Sequence, residues 1–115
     1  MDVDAVRRSL AADREATDAR IAAMSADLDA VASASAGSNL DDEHDPEGST
    51  VAFEREQLAA VRAQAQAHLA DIDAALHRLA ERRYGNCERC DQPIAPERLD
   101  ALPAARLCIA CASRR

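Results

Sequence analysis

Two Cys-x-x-Cys pairs, Cys87/Cys90 and Cys108/Cys111, stand near the end of a 115-residue chain that has no other cysteine. Seventeen residues separate them. A Cys-x-x-Cys turn lets two thiolates reach one metal ion from a single loop, and a second pair completes the tetrahedral set that zinc prefers. Four thiolates leave no position for an activated water, so the expected ion, one Zn²⁺, is structural. Ile94, Leu99, Leu102, Leu107 and Ile109 are the main apolar residues around the pairs. So small a module draws its folding free energy from the metal, on the order of 10–16 kcal/mol. Arg89 and Arg106 would offset part of the negative charge of a zinc tetrathiolate, or serve as plain surface residues. Oxidation of the thiols with loss of zinc is a competing use of the same four residues. A thioredoxin-like reading is disfavoured, because no βαβ pattern surrounds the motif.

Composition limits what else the chain can be. It has one Phe, one Tyr and no Trp, and alanine dominates its apolar residues, so a large core is excluded and stability must come from helix pairing, a metal or a partner. The net charge is -7, which disfavours wrapping duplex DNA, an interaction that needs a basic face. The opening residues MDVDAVRRSLAADREA are charged throughout, so neither a signal peptide nor a membrane anchor is expected. A cytoplasmic location is expected, where paired Cys-x-x-Cys motifs more often hold metal than form disulfides.

Two long elements must position the cysteines. From Asp2 to about Ser35 there is no Pro or Gly. Val3, Leu10, Thr17, Met24 and Val31 recur every seven residues, and Ile21 and Leu28 fill a second series in which Arg7 and Arg14 hold the earlier places. Asp2 is a suitable N-cap. A second run spans about Val51 to Arg83. Leu58, Ala65, Ile72 and Leu79 repeat at seven, with Leu69 and Leu76 between them and Arg62 as the exception. Arg82 and Arg83 suit a helix C-terminus, and Gly85 can end the helix in a left-handed conformation. One narrow seam per helix, matched lengths and a short connection favour an antiparallel coiled-coil hairpin. Pairing between two chains, or an ordinary bundle, would use the same seams. The expected fold is mostly α: an antiparallel coiled-coil helical hairpin over residues 1–83, followed by a small four-cysteine zinc-finger module over 84–115.

The hairpin tip, at about 37–50, carries Asp41, Asp42, Glu43, Asp45 and Glu47, with no arginine among them. Carboxylates so close repel one another, which points to a cationic partner or a bound Mg²⁺. Part of the cluster has a local explanation, because Asp45-Pro46-Glu47 reads as a helix start with Asp as N-cap and Pro at N1. A solvated acidic loop accounts for the rest. His44 is expected to be solvent-exposed.

Taken together, the chain resembles the DksA/TraR family. The likeness is most specific in the finger: Tyr84-Gly85 before Cys87, Arg98-Leu99, Pro103, and the run Leu107-Cys108-Ile109-Ala110-Cys111. The family's tip motif, Asp-x-x-Asp-x-Ala, is matched by Asp42 and Asp45, with Glu47 in place of the alanine. Phe53 and Glu54 follow where the family's second helix presents its surface. The resemblance implies a monomeric transcription regulator that binds bacterial RNA polymerase directly. The hairpin enters the secondary channel, and Asp42, Asp45 and Glu47 act near the catalytic centre to alter open-complex stability. No sequence-specific DNA binding and no membrane association are implied. The family's response to ppGpp depends on basic residues in the second helix and just past the last cysteine. Here those places hold Gln64, His68, Asp71 and Ala112, which argues against a ppGpp response, although Arg114 and Arg115 lie nearby.

Readings from other classes are a zinc-ribbon adaptor for protein or DNA and a zinc-linked thiol sensor. An enzyme is not expected: there is no nucleophile–base pair and no phosphate loop, and a site of four cysteine ligands is closed.

Overall fold

The computed structural model describes residues 1–37 and 46–114. Two long helices, α1 (Val3–Gly37) and α2 (Pro46–Ala80), lie antiparallel and pack along their length. Each has 35 residues, about 52 Å at 1.5 Å per residue, and the molecule is a rod measuring 59 × 30 × 20 Å. Two short helices follow, α3 (Pro96–Ala101) and α4 (Ile109–Ala112). Asn86 and Pro93 form an isolated antiparallel bridge between α2 and α3.

Local chemistry sets the helix ends. Asp2 caps α1, its Oδ1 accepting from the Ala5 backbone N–H at 3.1 Å. The second helix begins at Pro46, ahead of the apolar periodicity that starts at Val51, as the Pro-at-N1 reading of that stretch anticipates. It ends at Ala80, and the residue in the left-handed conformation is Arg82, φ 60°, rather than Gly85. Arg83 N–H donates to Arg78 O at 2.8 Å and Arg82 N–H to Leu79 O at 3.2 Å. This is the paired arrangement of a Schellman C-cap, built here on an arginine. Gly85 is left-handed too, φ +96°, but it shapes the entry to the first Cys-x-x-Cys turn, where its carbonyl accepts from Ile94 N–H at 2.7 Å.

The seam follows the heptad series with two changes. Leu10, Thr17, Ala65, Ile72 and Leu79 are buried, and Met24, Val31, Leu58, Leu69 and Leu76 are half-buried. Val3 is 41 % exposed, and Val6 packs on the core instead. Val6 stands one turn before Leu10, so both cover the base of the hairpin. Ala75 and Arg78 are buried where the heptads assign no core position, because the finger covers the lower flank of α2. Polar pairs stitch the seam: Arg14 Nε to Asp73 Oδ1 at 2.6 Å, His68 Nε2 to Asp13 Oδ2 at 2.8 Å, and Arg62 Nη1 to Ser25 Oγ at 3.1 Å. Arg62, the exception in the apolar series, is therefore a cross-helix hydrogen-bond donor.

The base holds two apolar clusters. Leu10, Ile72, Ala75 and Leu79 of the hairpin meet Ala104 of the finger. Ile94 and Leu99 pack with Cys87 and Cys111. The Tyr84 ring touches both clusters. Leu102 and Ile109, two of the finger's main apolar residues, are 52 % and 61 % exposed. Leu102 caps the end of α3 and Ile109 opens α4, and neither short helix has a second layer to cover its outer face.

Candidate metal centre

The first knuckle follows Gly85. Cys87 N–H donates to Gln92 O at 2.8 Å, and Asp91 N–H returns to Cys87 O at 2.9 Å. Asp91 adopts φ 62°, which closes this tight turn and which aspartate tolerates better than most residues. The second knuckle begins at Cys108, the N-cap of α4, whose Sγ accepts from Cys111 N–H at 3.5 Å. Glu88 N–H donates to Arg106 O at 2.9 Å and joins the two knuckles.

These turns bring the four sulfurs within 4.8 Å of one another. Cys90 Sγ and Cys108 Sγ are 3.8 Å apart. Zinc–sulfur bonds of ~2.3 Å in a regular tetrahedron require sulfur separations of about 3.8 Å. The residues present therefore fit a zinc ion, and the four cysteines are positioned to bind one metal ion. All four are free thiols, Cys87 and Cys111 buried and Cys90 exposed.

Electrostatics divides the set. Burial works against the Cys87 thiolate, but backbone hydrogen bonds at Cys108, Cys90 and Arg89 outweigh it and lower the thiol to about 6. Burial and the neighbouring sulfurs push Cys111 up to about 12. As thiolates, four sulfurs so close would require a cation, which a coordinated zinc would supply.

The arginines around the site differ from expectation in one respect. Arg89 does reach it, donating from Nη1 to Cys111 O at 3.3 Å. Arg106 is instead held by carboxylates, Glu88 Oε2 at 2.9 Å and Asp71 Oδ1 at 3.3 Å. Two further arginines that the spacing alone does not single out take part. Arg98 donates from Nε to Leu107 O at 3.0 Å. Buried Arg78 donates from Nη2 to Asn86 O and pairs with Glu88 at 3.6 Å. Both carbonyls belong to residues immediately preceding a cysteine.

Residues 82–115 match the model of the prokaryotic dksA/traR C4-type zinc finger. The finger is thus similar in sequence to the DksA/TraR zinc finger. Over 46 residues the chain is 46% identical to an uncharacterized protein of Aquifex aeolicus (strain VF5), a stretch covering 40% of this chain and 32% of that protein. The match thus spans about a third of that relative's length. The structure of transcription factor DksA2 from Pseudomonas aeruginosa is similar across 97% of this chain and 81% of that one, with a TM-score of 0.75 and 27% sequence identity. The DksA/TraR likeness therefore extends from the finger through the helical hairpin.

Of the tip residues, Asp42 and Asp45 lie outside the described residues, as do Asp41, Glu43 and His44. For Glu47 only the backbone, in the first turn of α2, lies within them. Phe53 is 62 % exposed on α2. Of the positions relevant to ppGpp, His68, Asp71 and Ala112 line one cleft of about 530 Å³ beneath the finger, together with Asp13, Glu88, Arg98 and Arg106. His68 is bonded there to Asp13 and Asp71 to Arg106. No described helix is long and apolar enough to cross a membrane.

Proposed function

We propose that this chain is a zinc-stabilised transcription regulator that binds bacterial RNA polymerase directly and acts in the cytoplasm without chemistry of its own. Cys87, Cys90, Cys108 and Cys111 hold one structural zinc, and the finger carries the hairpin. The hairpin enters the secondary channel and brings Asp42, Asp45 and Glu47 towards the catalytic centre. The regulator changes open-complex stability by binding two polymerase states unequally, the only way a ligand can shift an equilibrium.

The observation that carries this reading is the likeness to a DksA2 transcription factor over nearly the whole chain, hairpin and finger together. Construction supports it. An arm about 50 Å long delivers charge to a distant point only if it is stiff, and the paired seam with its cross-helix bonds provides stiffness. Both core clusters of the described residues lie at or near the base. The cleft at the ppGpp-relevant positions holds Asp13, Asp71 and Glu88. Arg98 and Arg106 line the same cleft, but Arg106 is held by Asp71 and Glu88, which argues against a ppGpp response.

The test is co-migration of purified protein with core RNA polymerase in the absence of DNA. Polymerase binding is expected, whereas a shift of duplex DNA by the protein alone would sink the proposal. Asp42→Asn with Asp45→Asn should still bind polymerase but lose the effect on open-complex lifetime. A lifetime effect that persists unchanged would reduce the tip to a solvated loop.

A further inference from the structure

The zinc site proposed above has a charge problem: four thiolates and one Zn²⁺ sum to 2−, and two of the sulfurs are buried. The arginines near it fall into two groups. Arg78 and Arg106 share Glu88, and Arg106 also holds Asp71, so two cations meet two carboxylates. Arg89 and Arg98 have no carboxylate within ion-pair distance among the described residues. Each is spent on a backbone carbonyl of the second knuckle instead. Arg98 Nε donates to Leu107 O at 3.0 Å, at the peptide leading into Cys108. Arg89 Nη1 donates to Cys111 O at 3.3 Å, at the knuckle's far end. Two otherwise unmatched positive charges thus grip both ends of the loop that presents Cys108 and Cys111.

We propose that Arg98 and Arg89 are positioning residues for the zinc centre, holding the second knuckle by its two end carbonyls and supplying the two positive charges that balance the tetrathiolate. Groups that orient metal ligands in this way commonly contribute roughly 10–100-fold to metal affinity. Arg89 belongs to the first knuckle, between Cys87 and Cys90, so its bond also ties one knuckle to the other. Neither arginine touches the metal. The inference rests on the zinc reading and goes beyond it.

The experiment is zinc affinity of the full chain by chelator competition, with the visible spectrum of the Co²⁺-loaded protein as a second readout. Arg98→Gln keeps a donor and removes the charge. It should bind zinc about tenfold more weakly and shift the cobalt–thiolate bands, while Arg98→Lys recovers most of the affinity. Arg89→Gln should act in the same direction, and it carries the comparison if Arg98→Gln loses its helical circular dichroism. Arg55→Gln changes net charge equally on an exposed site of α2 outside the finger and should leave affinity unchanged. Wild-type affinity in both Arg98→Gln and Arg89→Gln overturns the inference. An equal loss in Arg55→Gln also overturns it, and so does an Arg98→Lys as weak as Arg98→Gln, which would make the effect one of packing. A wild-type chain that takes up no zinc removes the underlying reading, a result separable from zinc uptake that is insensitive to these arginines.

Discussion

The phenol of Tyr84 donates to the carbonyl of Pro103 at 2.8 Å, closing nineteen residues of finger onto the end of the hairpin. The same ring touches both apolar clusters, so one side chain couples the helical arm to the metal module. Tyr84→Phe keeps the ring and deletes one hydrogen bond, an expected loss of about 1 kcal/mol in chemical unfolding. Tyr84→Ala should cost several times more. Equal losses for the two would mean that the ring's packing does not matter. Burial raises the Tyr84 phenol above its ordinary value of 10.0, with Asp100 adding to the rise and Arg78 opposing it. A raised folded value favours the neutral form, so this contribution is complete below pH 10 and fades as pH climbs through the folded value. Stability that is flat across that alkaline range in wild type, or that falls identically in Tyr84→Phe, would contradict the assignment.

The C-cap of α2 is built on a residue poorly suited to it. Arg82 holds φ 60° on an exposed turn, and a left-handed conformation costs a side-chain-bearing residue about 1–2 kcal/mol. Arg82→Gly should therefore raise stability by about 1 kcal/mol, seen as a higher Tm. A lower Tm would show that the arginine side chain makes a contribution larger than the strain it carries.

Neighbouring positions on α2 should behave very differently. Ile72 is fully buried against Leu10, while Asp73 makes a 2.6 Å pair with Arg14 in which both side chains are nearly half exposed. Ile72→Ala is expected to cost about 3 kcal/mol through lost burial and a residual cavity. Asp73→Ala should cost under about 1 kcal/mol, because solvent screens the pair, and less again at high salt. Comparable denaturation midpoints for these two variants would refute a seam held by apolar packing.

Removing zinc should dismantle the finger before the hairpin. Chelation is expected to expose Cys87 and Cys111 to thiol reagents, with most of the helical signal kept, since α1 and α2 bury their own seam. One zinc per chain should be recovered from protein prepared without oxygen. Its absence from folded, reduced protein would remove the metal assignment.

Proton release on loading follows from the thiols. Burial and the neighbouring sulfurs hold the Cys111 thiol above its ordinary value, so the metal-free cluster retains a thiol proton in mildly alkaline buffer. Zinc must displace that proton, so affinity should increase with pH. Calorimetry in buffers of different ionisation enthalpy measures the released protons. A count of zero in mildly alkaline buffer would contradict the burial argument for Cys111.

Much of this molecule is legible in its residues alone. Cysteine spacing identifies a closed four-sulfur site because zinc's geometry is simple and Cys-x-x-Cys turns are local. Leucine and isoleucine at intervals of seven predict the hairpin because one period describes the whole seam. Local signals serve less well where two pieces meet. Gly85 is a reasonable guess for the helix end, yet the chain turns at Arg82, where the C-cap hydrogen bonds to Leu79 O and Arg78 O close the helix. Val3 fits the heptad series, but packing at the base takes Val6. Leu102 and Ile109 look like core residues by type and are left exposed because the finger is too small to cover them. The division of the arginines was also invisible, because Arg106 meets Asp71 and Glu88, and Arg98 meets Leu107 O, only through the fold. The amino-acid order by itself determined the two Cys-x-x-Cys turns, the helices and their period, all of which depend on neighbours within a turn or a heptad. Tertiary structure alone decided which cations face carboxylates and which face the zinc loop, because charge pairing depends on distance in space, and these partners are 9 to 35 residues apart in sequence.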